Sequence, residues 1–543
     1  MKASIRLVLG LAAAIKCVAL GAGTGTLRVR IVTDGKLTPA RAWVDDSAGT
    51  RHHTPTRPDT CTPYSRDRSF SCEGWFEIKI PSGAVVVHVE KGKEFVPLDR
   101  RIELEAGEDF ELSLTLERWV DMPAQGFYSA DLHVHLGHDN ARVLRQLSLA
   151  DDVHIVPAFT YWLRGTEPSW NSRWPDWEGG PVIRVDAHHF VTRTNLEIER
   201  ISQTEVPGGV PGASFLFHLP KPVSTPRFGS RFPTDAELCL AAKTASPDCV
   251  IDTDKPSWPE SVIGAALGVY DVAQVCHNHY HRLNTLPGGW GMIGPLAPDE
   301  KDIKEKDELF RRTNAQYYHW LNCGIRMGVS GGSAIGVMPV PLGYNRTYTQ
   351  VEGELTPAKY WAAVKAGRTF ATSGPMITIE VEERGMGSEL AVSPRRPRNL
   401  EATAHLQTLE PIQSLELIEN GRVIRSERVP PAPAGKSINQ KFRWPVQPKR
   451  SGWYAARALF TAADGGLRQA HTSPVYIVVD GKPTAFKESA EYMLRWVDRL
   501  VEIARVPGRY QQEADKQQVI ATYDRARKFY EGVSENAKTI WKE

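Results

Sequence analysis

The sequence predicts a multidomain α+β protein: a β-sandwich, an α/β domain that carries the chemistry, a second β-sandwich and a terminal helical hairpin. Three observations predict it. Apolar and polar residues alternate in short runs over 26–119 and again over 376–482, the period of half-buried strands. Strand-like and helix-like stretches mix over 120–375, where histidines and carboxylates concentrate. Beyond Phe486, Tyr492, Leu494, Val497, Leu500, Val501 and Ile503 recur at helical spacing, and a second helix follows over about 512–532. A chain of 543 residues with 41% hydrophobic content can bury several cores. Its formal net charge of +2, with both signs interspersed, points to no nucleic-acid or membrane-surface partner. Oligomeric state is not written in any of these features.

Residues 1–23 read as a secretory signal peptide: Lys2 and Arg6, a short apolar run, then small residues up to Gly23. Export, periplasmic or extracellular, is the expectation, with no membrane span. Lys16 stands before Cys17 where a lipoprotein signal wants a small residue, which argues against lipid attachment. In the oxidising compartment this implies, Cys61 with Cys72 and Cys239 with Cys249 lie at spacings that disulfides close. Cys276 and Cys323 are a third pair or two buried thiols.

The first sandwich, 26–119, is built of runs such as Leu27-Arg28-Val29-Arg30-Ile31-Val32 and Trp75-Phe76-Glu77-Ile78-Lys79-Ile80. It holds no cluster of catalytic residue types. The α/β domain, 120–375, holds three. In the first, Asp131-Leu132-His133-Val134-His135 alternates strictly, so in a strand the three polar side chains share a face; His138 and Asp139 follow closely. Imidazole and carboxylate are the ligands divalent ions prefer, and His133 and His135 are the first metal-ligand candidates. In the second, Asp186-Ala187-His188-His189 precedes Asn195-Leu196-Glu197-Ile198-Glu199-Arg200, where Glu197 and Glu199 again share one strand face, one to bridge or terminate a metal shell while Arg200 pairs with the other. The third is His277-Asn278-His279-Tyr280-His281, with one or two imidazoles at the metal and another behind it or on substrate. Lys255, in Asp252-Thr253-Asp254-Lys255, suits an anionic group. Trp162, Trp170, Trp174 and Trp177 suit a sugar or aryl face beside the site.

The run Gly126-Phe127-Tyr128-Ser129-Ala130-Asp131-Leu132-His133-Val134-His135 resembles the opening motif of the CehA/McbA-type metallohydrolases of the polymerase and histidinol phosphatase (PHP) superfamily. Gly343-Tyr344-Asn345-Arg346-Thr347-Tyr348, with Ala366-Gly367-Arg368-Thr369 through Gly374-Pro375, is similar to that family's closing signature. The resemblance, covering most of 26–380, implies a distorted (β/α)7 barrel that hydrolyses esters, phosphoesters or carbamates with divalent metals at its strand ends. It matches His133 and His135 to the family's first pair of metal ligands, Glu197 or Glu199 to its bridging glutamate and His277 or His279 to its mid-barrel histidine; the candidate metal ligands are therefore His133, His135, Glu199, His277 and His279, and the candidate bases His138, Asp139 and Glu197. Asp131, Lys255, His281 and Arg346 are then the substrate-binding candidates. Two family motifs are missing. Thr160-Tyr161-Trp162 stands where a Thr-Asp-His is expected, and Ser330-Gly331-Gly332-Ser333-Ala334-Ile335 where a Ser-Gly-Ser-Asp-x-His is expected. Without those ligands several buried cations would go uncompensated, so one divalent metal per chain, Zn, Mn or Fe, is the expectation. The alternative is a barrel that has lost hydrolysis and acts as an exported carbohydrate- or partner-binding module.

Overall fold

The computed structural model describes residues 23–57, 59–137, 139–164, 173–200, 212–223, 231–280, 306–393, 399–433, 436–462, 465–508 and 510–541. The signal peptide, His138, Trp170 and His281 lie outside the described residues. At the N-terminus, Thr24–Thr33, Lys36–Leu37, Trp75–Pro81 and Asp109–Thr115 form one sheet, and Ala40–Asp45, Arg51–His52, Cys61–Tyr64, Ser69–Cys72, Gly83–Glu90 and Leu98–Leu104 form another. The alternation read from the sequence is what joins them. Leu27, Val29, Ile31, Phe76, Ile78 and Ile80 of the first sheet share a buried core with Phe70, Val85, Val87 and Val89 of the second.

The central strands form a curved row: β1 (Phe127–Ala130), β2 (Ile155–Arg164), β3 (Phe190–Arg200), β4 (Gly212–Phe217), β5 (Val250–Asp252), β6 (Val272–Cys276) and β7 (Gly328–Gly331). Neighbours are parallel except that β4 runs against both β3 and β5. The two ends of the row meet. Just past β1, the Leu132 amide donates to the Gly331 carbonyl at 3.2 Å, and Val134 bridges both Ala158 and Ile335. The mixed sheet then continues through β8 (Arg346–Gln350) and β9 (Thr369–Thr372) into Leu467–Thr472, Gly452–Thr461 and Ile412–Glu419, a single sheet of 16 strands. Its far end packs on a four-stranded sheet containing Met376–Val381, Leu400–Thr408 and Ile438–Val446, with Ile377, Ala404 and Leu406 against Leu415, Ala456 and Ala458. The C-terminal sandwich therefore borrows one of its sheets from the central domain.

The helical hairpin pairs Lys487–Ala504 with Glu513–Ile540, the second helix running further than its sequence pattern suggests because Val533 and Ala537 are still buried. It packs on the row through helices Ser261–Ala266 and Lys306–Asn322. His319 of the latter stacks on Tyr492 at 4.4 Å and meets the Ser489 hydroxyl at 2.9 Å. Burial first, then the field of Arg495, pushes this imidazole down to about 4. A depressed folded value means stability present above the ordinary imidazole value and lost as pH falls toward the folded one. We expect thermal unfolding to shift down from pH 7 to pH 4.5 and the shift to shrink in His319→Phe, which keeps the stack and removes the titration.

The predicted disulfides are a correction. Cys61, Cys72, Cys239, Cys249, Cys276 and Cys323 are all free and buried. Cys61 and Cys72 face each other across adjacent strands, yet each is satisfied as a small apolar group within the sandwich core, as Cys239 and Cys249 are in the core beneath the helical hairpin. Among the described residues no helix is long and apolar enough to cross a membrane.

Candidate metal centre

In barrels and open α/β sheets the carboxyl ends of parallel strands are where backbone groups and loops converge on a ligand. The polar clusters of this chain gather there. His133 and His135 follow β1, Glu197 lies toward the end of β3, Asp254 and Lys255 follow β5, His277 and His279 follow β6, and Gly332 and Ser333 follow β7.

His133 and His135 bring their Nε2 atoms to 2.9 Å, and His135 Nε2 lies 3.2 Å from Glu197 Oε2. One ligand atom from each falls within 4.8 Å of the others, a spacing that one divalent ion can bridge. His133 and Glu197 are 4% and 2% exposed, so a charge placed among them would act in a poorly screened interior. The pocket holds His133 far below the ordinary imidazole value, by burial and then by the Lys255 cation. His277 is held down in the same way, by burial, His279, Lys255 and His133 in turn. Neutral imidazole is the form that coordinates a metal. On its other side the His133 ring turns Nδ1 toward Asp254 Oδ1 at 3.6 Å; that carboxylate is fixed by Lys255 at 2.8 Å and the Trp258 indole at 2.7 Å. At that distance the carboxylate is an electrostatic neighbour of the ring and not its hydrogen-bond partner. The walls are aromatic: Phe215 lies 4.4 Å from His133, Phe159 5.3 Å from His135, and Trp162 4.1 Å from His135.

The other sequence-selected residues fall elsewhere. Asp131 does not join the histidine face: β1 ends at Ala130, and the carboxylate folds back to accept from the amides of His133, Ser333 and Gly343 at 3.1, 2.8 and 2.8 Å. Glu199 sits one repeat beyond Glu197 and accepts from the Trp162 indole at 2.7 Å. Arg200 pairs with neither glutamate but with Asp235 and Glu260. His277 and His279 are buried near His133 without joining its triad, and the His277 Nε2 has no hydrogen-bond partner among the described residues. Lys255 lies at the centre, its ammonium committed to Asp254. Asp139 is exposed beside Asn140, the cap of helix Ala141–Ala150. Arg346 is buried away from the triad, donating to the carbonyls of Gly343, Asp151 and Asp152 at 2.7, 3.1 and 3.1 Å.

Sequence reasoning missed the role of Trp162, which occupies a position where the resembled motif carries a ligand and instead roofs His135. It also missed a second triad of ligand type, Asp152, His154 and His189, again within 4.8 Å. This one lies at the amino ends of β2 and β3. Asp152 there meets Arg118 at 3.1 Å and His189 at 3.4 Å, while His189 also meets Asp186 at 2.9 Å. His154 accepts from the Ser129 amide at 3.0 Å. Both triads qualify as metal sites by residue type and proximity, but only the first lies at the carboxyl ends of the strands.

Two glycines let the loop after β7 close on the first triad. A Cβ on Gly332 would fall 2.6 Å from the His133 Cβ, and one on Gly336 3.1 Å from that of His135. Gly332→Ala should therefore displace His133 and weaken divalent-ion binding about tenfold or more, read by competition with a chromogenic chelator. Glycine-to-alanine at the open Gly385 should leave it unchanged.

No protein-family model, curated protein or solved structure matches this chain.

Proposed function

We propose that the chain is an exported metal-dependent hydrolase with a PHP-like barrel, acting on an ester, phosphoester or carbamate. One observation carries the reading: the convergence of His133, His135 and Glu197 at the carboxyl ends of the strand row. The meeting of the row's two ends and the three strand-end loops supplying His133, Asp254 and His277 support the barrel, and the CehA/McbA-like opening motif lies on the segment that closes it. The signal-like residues 1–23 support export.

His133, His135 and Glu197 would hold one Zn, Mn or Fe ion. Such an ion, when bound, lowers the pKa of a water and polarises a carbonyl or phosphoryl oxygen. The chain's own part is placement and proton handling. Asp254 lies behind the His133 ring at 3.6 Å without hydrogen-bonding it, and Trp162, Phe159 and Phe215 keep bulk water from the ligand atoms. His277, held neutral and with no Nε2 partner among the described residues, is the candidate base beside this triad. Tyr161 and Trp162 in place of two ligands limit the site to one ion.

The test is a screen of chromogenic carboxylic esters, phosphomonoesters, phosphodiesters and aryl carbamates with the mature protein loaded in turn with zinc, manganese and iron(II). Turnover of one class, abolished by chelation and restored by the ion, is the expected result. Stoichiometric metal with no turnover in any class would favour the carbohydrate- or partner-binding alternative.

A further inference from the structure

Away from the metal centre, a cleft of about 350 Å³ opens where the first sandwich, the loop 341–346 and the second sandwich meet. That volume lies in the range of small-molecule sites, roughly 300–1,000 Å³, and exceeds what a bare ion fills. The cleft shares no lining residue with the His133 triad.

Its cations are unequal. Arg41 is committed to Asp67, Asp151 and Glu90, and Arg346 to backbone carbonyls. Lys93 is different. Its ammonium donates to the Ser373 carbonyl at 2.9 Å, lies 4.5 Å from the centre of the Tyr344 ring, and has no carboxylate within ion-pair distance among the described residues. Arg468 converges on the same ring, its Nη1 donating to the Tyr344 hydroxyl at 2.7 Å and its guanidinium carbon 5.5 Å from the ring centre. Burial first, then the fields of Arg468 and Arg346, push Lys93 down to about 7, with Glu90 and Glu410 opposing them only in part. An ammonium held half-buried beside two guanidinium groups is stabilised by an arriving anion.

We propose that this cleft binds a small organic oxyanion of about the size of one sugar ring, its charged group at Lys93 and Arg468 and its ring beside Tyr344 and Trp119. A carboxylate or sulfate would exchange water for a charge-assisted hydrogen bond from Lys93. The aromatic edges of the cleft favour an attached ring over a free ion.

Calorimetric titration of the full mature chain with glucuronate, glucose and inorganic sulfate tests this. Glucuronate is expected to bind, glucose not, and sulfate more weakly than glucuronate. Lys93→Met should weaken glucuronate about tenfold to a hundredfold, the loss of one hydrogen bond to a charged group, and Lys93→Arg should keep most of the affinity. At pH 7 the complex should take up protons, seen as a dependence of the heat on buffer ionisation enthalpy that Lys93→Met abolishes. His133→Ala/His135→Ala should bind glucuronate like the wild type, so this site and the hydrolase reading stand or fall separately. Glucuronate binding no better than glucose or sulfate, or unaltered binding in Lys93→Met, would overturn the proposal. Should Lys93→Met fail to fold, Arg468→Gln should weaken glucuronate to a similar extent, and unaltered binding there would overturn the proposal.

Discussion

Replacing His133 and His135 together by alanine removes the divalent ion from the protein. Elemental analysis of the mature wild type should find about one zinc, manganese or iron per chain, and the double variant should hold it at least about a hundredfold more weakly, since even residues behind a ligand cost up to that much. The expectation follows from the geometry: two of the three atoms in the triad are the imidazole Nε2 pair at 2.9 Å, and Glu197 alone offers a single carboxylate. Alanine also opens space beside Phe215 and Phe159, so some loss of stability accompanies it. His133→Asn/His135→Asn separates the two effects, keeping polarity and more of the volume than alanine does while losing the ligand nitrogens. Metal lost in both variants with folding retained in the second identifies a metal centre. A wild type that takes up no zinc, manganese or iron under supplementation would sink the hydrolase reading.

Periodicity made the His133/His135 pair legible in the sequence, because two side chains at i and i+2 on an extended chain face the same way whatever surrounds them. The same rule failed for Asp131, and the reason is local: β1 stops at Ala130, and a carboxylate at a strand end can reach the amides of the closing loops. Glu197 and Glu199 were legible as a pair, but the choice between them rests on register, since Glu197 lies beside Trp162 of β2 and one repeat further the chain has left the histidines behind. Asp152 and His154 also stand at i and i+2, but they precede their strand and reach His189 only through the pairing of two strand starts, which no single segment's spacing shows. The sandwiches were legible from alternation, whereas the passage of one sheet through β8 and β9 into the second was not, because strand pairing across domains has no period. The cysteine spacings suggested bonds that the buried thiols do not make. Sequence separation says how far the chain must loop, not where a thiol points.

Arg200→Met is expected to cost about 3–5 kcal/mol, the penalty for stranding buried charges by removing one partner. Arg200 is 2% exposed; its guanidinium donates to Asp235 at 2.9 Å and to the Pro233 carbonyl at 2.5 Å, and lies 3.7 Å from Glu260. Glu260 in turn receives the Asp235 amide at 2.8 Å and the Tyr523 hydroxyl at 2.5 Å, so the network binds β3 to the hairpin helix Glu513–Ile540. Burial, and then the field of Asp235, push Glu260 up to about 7 even though Arg200 holds it down. With the guanidinium gone, one carboxyl must take a proton or the hairpin must loosen. Hydrogen exchange should therefore accelerate first in 513–540, before the sandwiches respond. Adding Glu260→Gln to Arg200→Met should recover part of the loss, because a neutral amide needs no counter-charge. A single variant within about 1 kcal/mol of the wild type, the scale of an exposed ion pair, would show that water or backbone movement replaces the arginine and that the hairpin is held by its apolar face alone.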